Sequence, residues 1–308
     1  MRAKLRDTEI YFDVDGSGLV ARGDRMVEKP VAFLLHGGPG ADHSSYKPSF
    51  FPLTSRMQLV YFDHRGQGRS ARGPRETYQL DNNVEDMEAL RQHLGLDQIV
   101  VIGGSYGGMV AQAYASRYPA RVSQLILYAT VPDWRFLPQA QAALRSRGTA
   151  EQIAIAEHLW AGTFRDTEHL RAYFRLLAPL YSRRYDPRQP DLGLQRAILS
   201  VDAINEAFSG FLRRFDLRPE LGRITAPTLV LAGRHDWICA PEFSVEIAQL
   251  IPNSDLRIFE QSGHSIRSDE LDALLDAIAG FVVYNSDPNR SPPNRSPATG
   301  LNDGHGAG

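Results

Sequence analysis

Three residues of the types used in nucleophilic catalysis each follow a short apolar run in this chain: Ser105, Asp236 and His264. A serine hydroxyl becomes an effective nucleophile when a histidine removes its proton, and a carboxylate orients the histidine and stabilises its cation. Ser105 lies in the pattern Gly-x-Ser-x-Gly between Gly103 and Gly107, which is typical of a sharp strand-to-helix turn that exposes the hydroxyl. Together these residues predict acyl transfer through a covalent intermediate on Ser105.

Other residues compete for two of these roles. Asp255 and Asp216 are alternative acids, and His235, directly before Asp236, is an alternative base. The serine, aspartate and histidine named above are preferred because each follows a predicted strand and because they occur in that order along the chain. The single cysteine, Cys239, lies away from the serine turn, so it is expected to pack near the aspartate loop rather than to act as a nucleophile.

A glycine-rich segment, His-Gly-Gly-Pro-Gly at residues 36–40, follows the apolar run 31–35. Backbone N–H groups on such a loop can approach an anionic oxygen closely. The predicted oxyanion hole therefore consists of the N–H of Tyr106, at the start of the helix after the serine, with the N–H of Gly38 or Gly37. Losing one donor of this kind typically lowers turnover by about 10²–10³.

A second polar loop, residues 63–70, is predicted to be structural. A charged residue between turn glycines more often ties one loop to another than it takes part in catalysis, so Arg65 is expected to make such a tie. His36 and His64 are likewise expected to brace loops.

The elements that must position these residues alternate along the chain. Apolar runs predict strands, and helical spacing of apolar residues between several of them indicates a mostly parallel sheet with helices on both faces, that is, an α/β fold. The predicted strands are an edge strand at 8–14 and the apolar runs 31–35, 58–62, 99–102, 122–127, 228–232 and 256–259. Parallel strands place their carboxyl ends at one edge of the sheet, where open α/β sheets bind ligands.

The pattern changes between residues 131 and 221, where apolar residues recur at helical spacing. This change predicts a core of residues 1–130 and 222–284 and an inserted helical cap at 131–221. The segment 285–308 contains Asn-Arg-Ser-Pro twice and too few apolar residues to bury a core, so it is predicted to be a disordered tail.

Composition excludes several classes of function. A formal net charge of −2 over 308 residues gives no electrostatic footprint for nucleic acid or an anionic membrane. One cysteine rules out an intrachain disulfide, and no residues have structural-zinc spacing, so neither a metal nor a cofactor is predicted. The first residues carry no apolar leader, and no apolar run is long enough to span a bilayer. A cytoplasmic protein with a small-molecule partner is therefore expected, its oligomeric state left open.

The motifs at 36–40, 63–70, 103–108, 233–236 and 262–264 together resemble the proline iminopeptidase family of α/β-hydrolases, over about residues 8–283. The resemblance implies an α/β-hydrolase core with a helical cap and release of an N-terminal residue from a small peptide or amide. In that family, glutamates of the cap bind the free N-terminal amine. Glu206 resembles one of them, and Trp237 stands where some members have a second, so both are candidate substrate-binding residues.

Two alternatives remain open. A carboxylesterase or lactonase could use the same Ser-His-Asp triad on a small ester, and this is favoured by Trp237 and the aromatic residues of the predicted cap. In that case Glu206 is an ordinary residue of a helix surface. The second alternative is a protein that binds its ligand on a hydrolase fold without turnover, against which the complete set of catalytic residue types argues.

Overall fold

The computed structural model describes residues 1–189 and 192–285. The predicted tail at 285–308 lies outside these residues, apart from residue 285. Within them the chain forms ten strands: β1 (Arg2–Leu5), β2 (Thr8–Asp15), β3 (Leu19–Arg22), β4 (Arg25–Glu28), β5 (Val31–Leu35), β6 (Gln58–Phe62), β7 (Ile99–Gly104), β8 (Val122–Tyr128), β9 (Thr228–Gly233) and β10 (Ser254–Phe259).

Eight strands form one sheet in the order β1-β2-β6-β5-β7-β8-β9-β10, and β3 and β4 form a separate hairpin. The pairs β1–β2 and β2–β6 are antiparallel, and every other neighbouring pair in the large sheet is parallel. The prediction of a mostly parallel α/β sheet is confirmed. The short strands β1, β3 and β4 are not in the prediction, because each has only four residues and contains at least one charged residue, so none is a continuous apolar run of strand length.

The helices are α1 (Leu80–His93), α2 (Tyr106–Arg117), α3 (Phe136–Arg147), α4 (Ala150–Ala161), α5 (Thr167–Tyr181), α6 (Leu192–Arg196), α7 (Val201–Ser209), α8 (Arg218–Leu221), α9 (Pro241–Leu250), α10 (Ile266–Asp269) and α11 (Leu271–Asn285). Helices α3 to α8 all lie between β8 and β9, in the segment where helical spacing predominates. In the part of the chain that the structure describes, no helix is both long and apolar enough to cross a bilayer.

The central strand β7 shows how the sheet is buried. Ile99 and Val101 belong to the core on one face, which includes residues of α1, α2 and α9, whereas Val100 and Ile102 belong to the core on the other face, under α11. Successive side chains of a strand point to opposite faces, so a strand covered on both sides must be apolar throughout. This explains why β7 reads as a continuous apolar run.

The register of the parallel strands places the polar loops side by side. Leu35 pairs with Gly103, so the loop after β5 starts next to the end of β7. Phe259 pairs with Gly233, so the loops after β9 and β10 also start together. All four loops leave the same edge of the sheet, where the candidate site lies.

Candidate active site

Ser105 occupies the turn between β7 and α2 in a conformation that L-residues rarely adopt, with φ 54° and ψ −122°. The turn is possible because its glycines have no β-carbon. A β-carbon on Gly107 would lie 1.9 Å from the carbonyl oxygen of Leu35, and one on Gly103 would lie 2.4 Å from the carbonyl oxygen of Gly107. Close backbone approach therefore demands glycine at both positions.

Hydrogen bonds from the neighbouring strand hold this turn in place. The N–H of Ser105 donates to the carbonyl of Tyr128 (3.0 Å), and the hydroxyl of Thr130 donates to the carbonyl of Ser105 (2.7 Å). With both backbone groups fixed, the strained conformation is imposed by its surroundings, which is typical of functional positions.

Asp236 and His264 are brought together by the adjacent loops after β9 and β10. Asp236 is 3% exposed, and its Oδ2 lies 2.7 Å from Nδ1 of His264. Its Oδ1 accepts hydrogen bonds from the N–H groups of Ile238 (2.9 Å) and Cys239 (2.8 Å). The carboxylate is thus fixed. The other ring nitrogen of His264, Nε2, takes no part in the contact with Asp236, and His264 lines a cavity.

The alternative acids and base lie elsewhere. Asp255 and His235 are exposed, and Asp216 pairs with Arg218 at 2.6 Å near α8. None of the three lines the cavity that Ser105 and His264 share.

Cys239 is 2% exposed, and the donation of its N–H to Asp236 confirms that it packs on the aspartate loop. The ligand atoms of Asp236, Cys239 and His264 all lie within 4.8 Å of one another, which is a spacing that a metal site could use. However, burial raises the pKa of the Cys239 thiol far above its usual value, whereas a cysteine ligand must be a thiolate. Both oxygens of Asp236 already accept hydrogen bonds, so the group fits an acid–base pair better than a metal centre.

The loop after β5 lies against the serine turn. A β-carbon on Gly37 would be 3.2 Å from Cβ of Ser105, and both Gly37 and Gly38 line the cavity. Helix α2 begins at Tyr106, and the first N–H groups of a helix have no carbonyl partner within it. Gly37 therefore lies against Ser105 and Gly38 lines the same cavity, whereas their role as oxyanion donors with Tyr106 stays a prediction.

A buried histidine orients this loop. Nε2 of His36 accepts a hydrogen bond from the N–H of His64 (3.1 Å), so Nδ1 carries the proton and donates to the carbonyl of Gly37 (2.8 Å). Burial lowers the pKa of His36, in keeping with a neutral ring. The expectation that His36 braces a loop is confirmed.

Arg65 likewise makes the structural tie that was predicted for it. It is 3% exposed and donates from Nε and Nη2 to Asp86 at 2.6 Å each, and from Nη2 to Asp7 at 2.9 Å. Arg65 therefore connects its loop to helix α1 and to the loop after β1.

The shared cavity has a volume of about 850 Å³. Core loops supply Ser105 and His264, and the helices between β8 and β9 supply an apolar wall that includes Tyr173, Ile204 and Phe208. The volume is in the range of pockets that take small organic ligands.

Glu206 does not reach this cavity. Ile204 and Phe208, four residues apart, lie on the face of α7 that lines it, and Glu206 lies halfway between them in sequence and so on another face. Its Oε1 accepts a hydrogen bond from Gln79 (3.1 Å), and its Oε2 lies 3.5 Å from Nε of Arg75. The structure therefore does not bring this predicted amine ligand to the site.

Trp237 is 2% exposed and is not among the residues that line the cavity. Its ring meets Trp160 and Tyr181 edge to face, with centroid distances of 6.4 Å and 5.6 Å. Tyr181 in turn packs against the ring of His264 at 5.3 Å. Trp237 therefore supports the wall behind the histidine.

Asp269 is a residue that the sequence analysis missed. It is fully buried on α10, accepts from the N–H of Gly263 (2.8 Å) and the hydroxyl of Ser182 (2.6 Å), and so joins the histidine loop to the end of α5. No sequence pattern distinguishes it from a solvated aspartate, because α10 has only four residues.

Comparison with known proteins gives the family. The model of the family described as alpha/beta hydrolase fold matches residues 30–270. "Proline iminopeptidase PfmaB" of Pestalotiopsis fici is 31% identical over 278 residues, which cover 88% of this chain and 98% of the relative. A proline iminopeptidase of Clostridium botulinum is 28% identical over 270 residues, covering 84% of this chain and 91% of the relative.

Solved structures agree with the fold. VinJ superposes with a TM-score of 0.75 at 23% identity, covering 92% of this chain and 97% of the other. Proline iminopeptidase of Mycobacterium smegmatis gives 0.73 at 22% identity, covering 92% and 98%. The enol-lactonase of Burkholderia xenovorans gives 0.70 at 22% identity, covering 92% and 100%. With the family model spanning most of the sheet and site, this chain belongs to the α/β-hydrolase fold family and is a hydrolase similar to proline iminopeptidases.

Proposed function

We propose that this protein is a serine hydrolase of small acyl substrates, with Ser105 as nucleophile, His264 as base and Asp236 as the residue that orients the base. The observation that carries the proposal is the 2.7 Å contact between Asp236 Oδ2 and His264 Nδ1, in a histidine that lines the same cavity as Ser105. The contact leaves Nε2 of His264 as the atom that can take a proton.

In the first half of the proposed reaction, Oγ of Ser105 attacks the substrate carbonyl while Nε2 of His264 takes the hydroxyl proton. The oxyanion that forms accepts hydrogen bonds from the N–H of Tyr106 and from that of Gly38 or Gly37. The intermediate collapses when His264 returns its proton to the leaving alcohol or amine. An acyl-enzyme on Ser105 remains.

In the second half, His264 removes a proton from water, and the resulting hydroxide attacks the acyl-enzyme. The acid product leaves as the proton returns to Ser105 Oγ, which restores the starting state. No step requires a metal or a cofactor. In this scheme residues 131–221 act as a cap that encloses the substrate over a core of residues 1–130 and 222–284.

Two classes of bond fit this chemistry. The curated relatives named proline iminopeptidase suggest release of an N-terminal residue from a small peptide. Hydrolysis of an ester or lactone is favoured instead by the position of Glu206, because the carboxylate expected to hold a substrate ammonium lies outside the cavity and near Arg75. We therefore place ester hydrolysis first for this chain.

The test is covalent labelling with a fluorophosphonate probe, combined with hydrolysis of p-nitrophenyl esters and aminoacyl-naphthylamides. We expect the probe to label Ser105, and both Ser105→Ala and His264→Ala to lose nearly all turnover, because the hydroxyl is a weak nucleophile without its base. His235→Ala is the matched control, since this exposed histidine lies directly before Asp236 and should retain activity. Labelling that persists in Ser105→Ala, or full activity in His264→Ala, would refute the assignment.

A further inference from the structure

The described residues that line the cavity carry a strong excess of positive charge. A single carboxylate, that of Asp186, stands among six cationic side chains: Lys47, Arg171, Arg175, Arg184, Arg196 and Arg267. A cavity lined by one sign of charge concentrates ligands of the opposite sign. This cavity therefore repels an ammonium group and attracts an anion.

Some of this charge is already neutralised. Lys47 pairs with Asp13 (2.6 Å) and Asp15 (3.2 Å), and Arg175 pairs with Glu168. These two cations contribute little to the recognition of a ligand, because their nearest partners are carboxylates of the protein itself.

Two further arginines bind neutral groups and so keep their net charge. Arg171 donates to the carbonyls of Leu194 and Ala197, and Arg196 donates to the carbonyls of Leu192 and Lys47. Both guanidinium groups are fixed in position by these bonds. They add positive potential to the cavity, with their donors largely occupied.

Arg267 is placed to contact a ligand. It is half-buried on α10, three residues after His264, and it forms an ion pair with none of the carboxylates in residues 1–189 and 192–285. Burial raises the pKa of Tyr128 to about 12, and the charge of Arg267 acts on that hydroxyl in the opposite direction. A β-carbon on Gly104 would lie 2.1 Å from Cζ of Tyr128, so the tyrosine whose pKa Arg267 lowers packs against the residue before Ser105.

Arg184 faces the cavity from the side of the helical segment. Its N–H donates to Asp269 (3.0 Å), which also holds the loop of His264, so its backbone is tied to the site. Its side chain is exposed and forms no ion pair within the described chain. Asp269 thus ties the backbone of Arg184 to the short helix that carries Arg267, and both side chains line the same cavity.

We propose that the substrate is an ester that carries an oxyanion group, a carboxylate or a phosphate, and that Arg267 and Arg184 bind this group while the carbonyl lies at Ser105. This inference rests on the proposed serine hydrolase function. The guanidinium fork matches the oxygens of either anion, and the wall formed by Tyr173, Ile204 and Phe208 takes the apolar part of the substrate.

The kinetic test compares p-nitrophenyl hydrogen adipate with p-nitrophenyl hexanoate, two esters of equal chain length that differ in one terminal carboxylate. Wild-type protein is expected to have the higher kcat/KM for the adipate ester. Arg267→Gln should lower the ratio of the two kcat/KM values about tenfold or more, mainly through KM, because one charge-assisted hydrogen bond is lost. Arg267→Lys should give a ratio between those of Arg267→Gln and the wild-type protein.

Arg184→Gln is expected to lower the same ratio by a smaller factor, since its side chain is exposed and screened. The matched control is Arg183→Gln, an exposed neighbour outside the cavity lining, which should change the ratio by less than about twofold. A wild-type preference for the hexanoate ester, or an Arg267→Gln ratio equal to that of wild type, would overturn the proposal.

A binding experiment separates this proposal from the proposed catalytic function. Adipate and inorganic phosphate are titrated calorimetrically into Ser105→Ala protein and into the double variant with Arg267→Gln. Tighter binding of one anion identifies the group, and binding weakened about tenfold in the double variant supports the role of Arg267. Absence of binding by both anions would refute the anion site. If the protein variants bind an anion but the fluorophosphonate probe fails to label Ser105 of the wild-type protein, the catalytic function alone is refuted.

Discussion

Replacing Ser105 by glycine and, separately, by alanine is expected to give two inactive proteins of different stability. Both substitutions remove the hydroxyl, so neither protein should react with a fluorophosphonate probe. They differ in the β-carbon, which alanine keeps and glycine lacks. The backbone at Ser105 has φ 54° and ψ −122°, a conformation that glycine adopts without the steric strain that a β-carbon causes.

The size of the difference follows from two opposing effects. Relief of strain at a residue held in a sparsely populated region is worth about 1–3 kcal/mol. Glycine loses more conformational entropy than alanine on folding, which costs about 0.5–1 kcal/mol. The strain effect is larger, so Ser105→Gly should be more stable than Ser105→Ala by about 1–2 kcal/mol.

Urea unfolding followed by circular dichroism measures this difference directly. The control is Ala142→Gly on the exposed face of α3, where the backbone is helical and glycine should cost about 0.5–1 kcal/mol. The sign of the alanine-to-glycine change is thus expected to reverse between the two positions. If Ser105→Ala is at least as stable as Ser105→Gly, a β-carbon does not strain the backbone at this position.

Two further predictions concern carboxylates outside the proposed triad. Glu206→Gln is expected to change kcat/KM for prolyl-naphthylamide and for a neutral ester by less than about twofold, since the carboxylate contacts Gln79 and the exposed Arg75. A tenfold loss of kcat/KM confined to the amide would contradict the position of Glu206 outside the cavity. Burial raises the pKa of Asp63, but the hydrogen bonds from the His43 side chain and the N–H of Arg69, together with the neighbouring histidines, outweigh burial and lower it to about 2. The stabilisation that ionised Asp63 contributes is therefore complete above about pH 4 and is lost as the pH falls toward 2. Asp63→Asn should lower the free energy of unfolding in urea by on the order of 2 kcal/mol at pH 7 and by clearly less at pH 3. A loss of stability that does not depend on pH would disprove this linkage.

The sheet and the meeting of the polar loops were predictable because both depend on local patterns. Strands buried on two faces are continuous apolar runs, as in β7, and parallel strands deliver the residues that follow them to one edge. Asp236 and His264 could therefore be paired from sequence although 28 residues separate them. Gly103 and Gly107 were recognisable because a close backbone approach leaves no room for any other residue.

The direction of side chains in the helical segment could not be predicted in the same way. Whether Glu206 or its neighbours Ile204 and Phe208 face the cavity depends on the rotation of α7 about its axis, which is set by packing against other elements. Asp269 and Arg267 lie on a helix of four residues, too short for a periodic pattern to show which face is buried.

The residues proposed to react and the residues proposed to distinguish substrates lie in two different parts of the chain. The groups proposed to react come from the ends of sheet strands, whereas those that distinguish substrates come largely from the helical segment and α10. At the position where some proline iminopeptidases have a second glutamate, this chain has Trp237, buried behind His264 and facing Trp160. Glu206 lies outside the cavity beside Arg75, and the described lining carries an excess of cationic groups, which supports the proposed preference for an anionic ester over an amine. A change of substrate class can thus occur with the catalytic loops unaltered, because the sheet that positions those loops does not depend on which side chains the helices present.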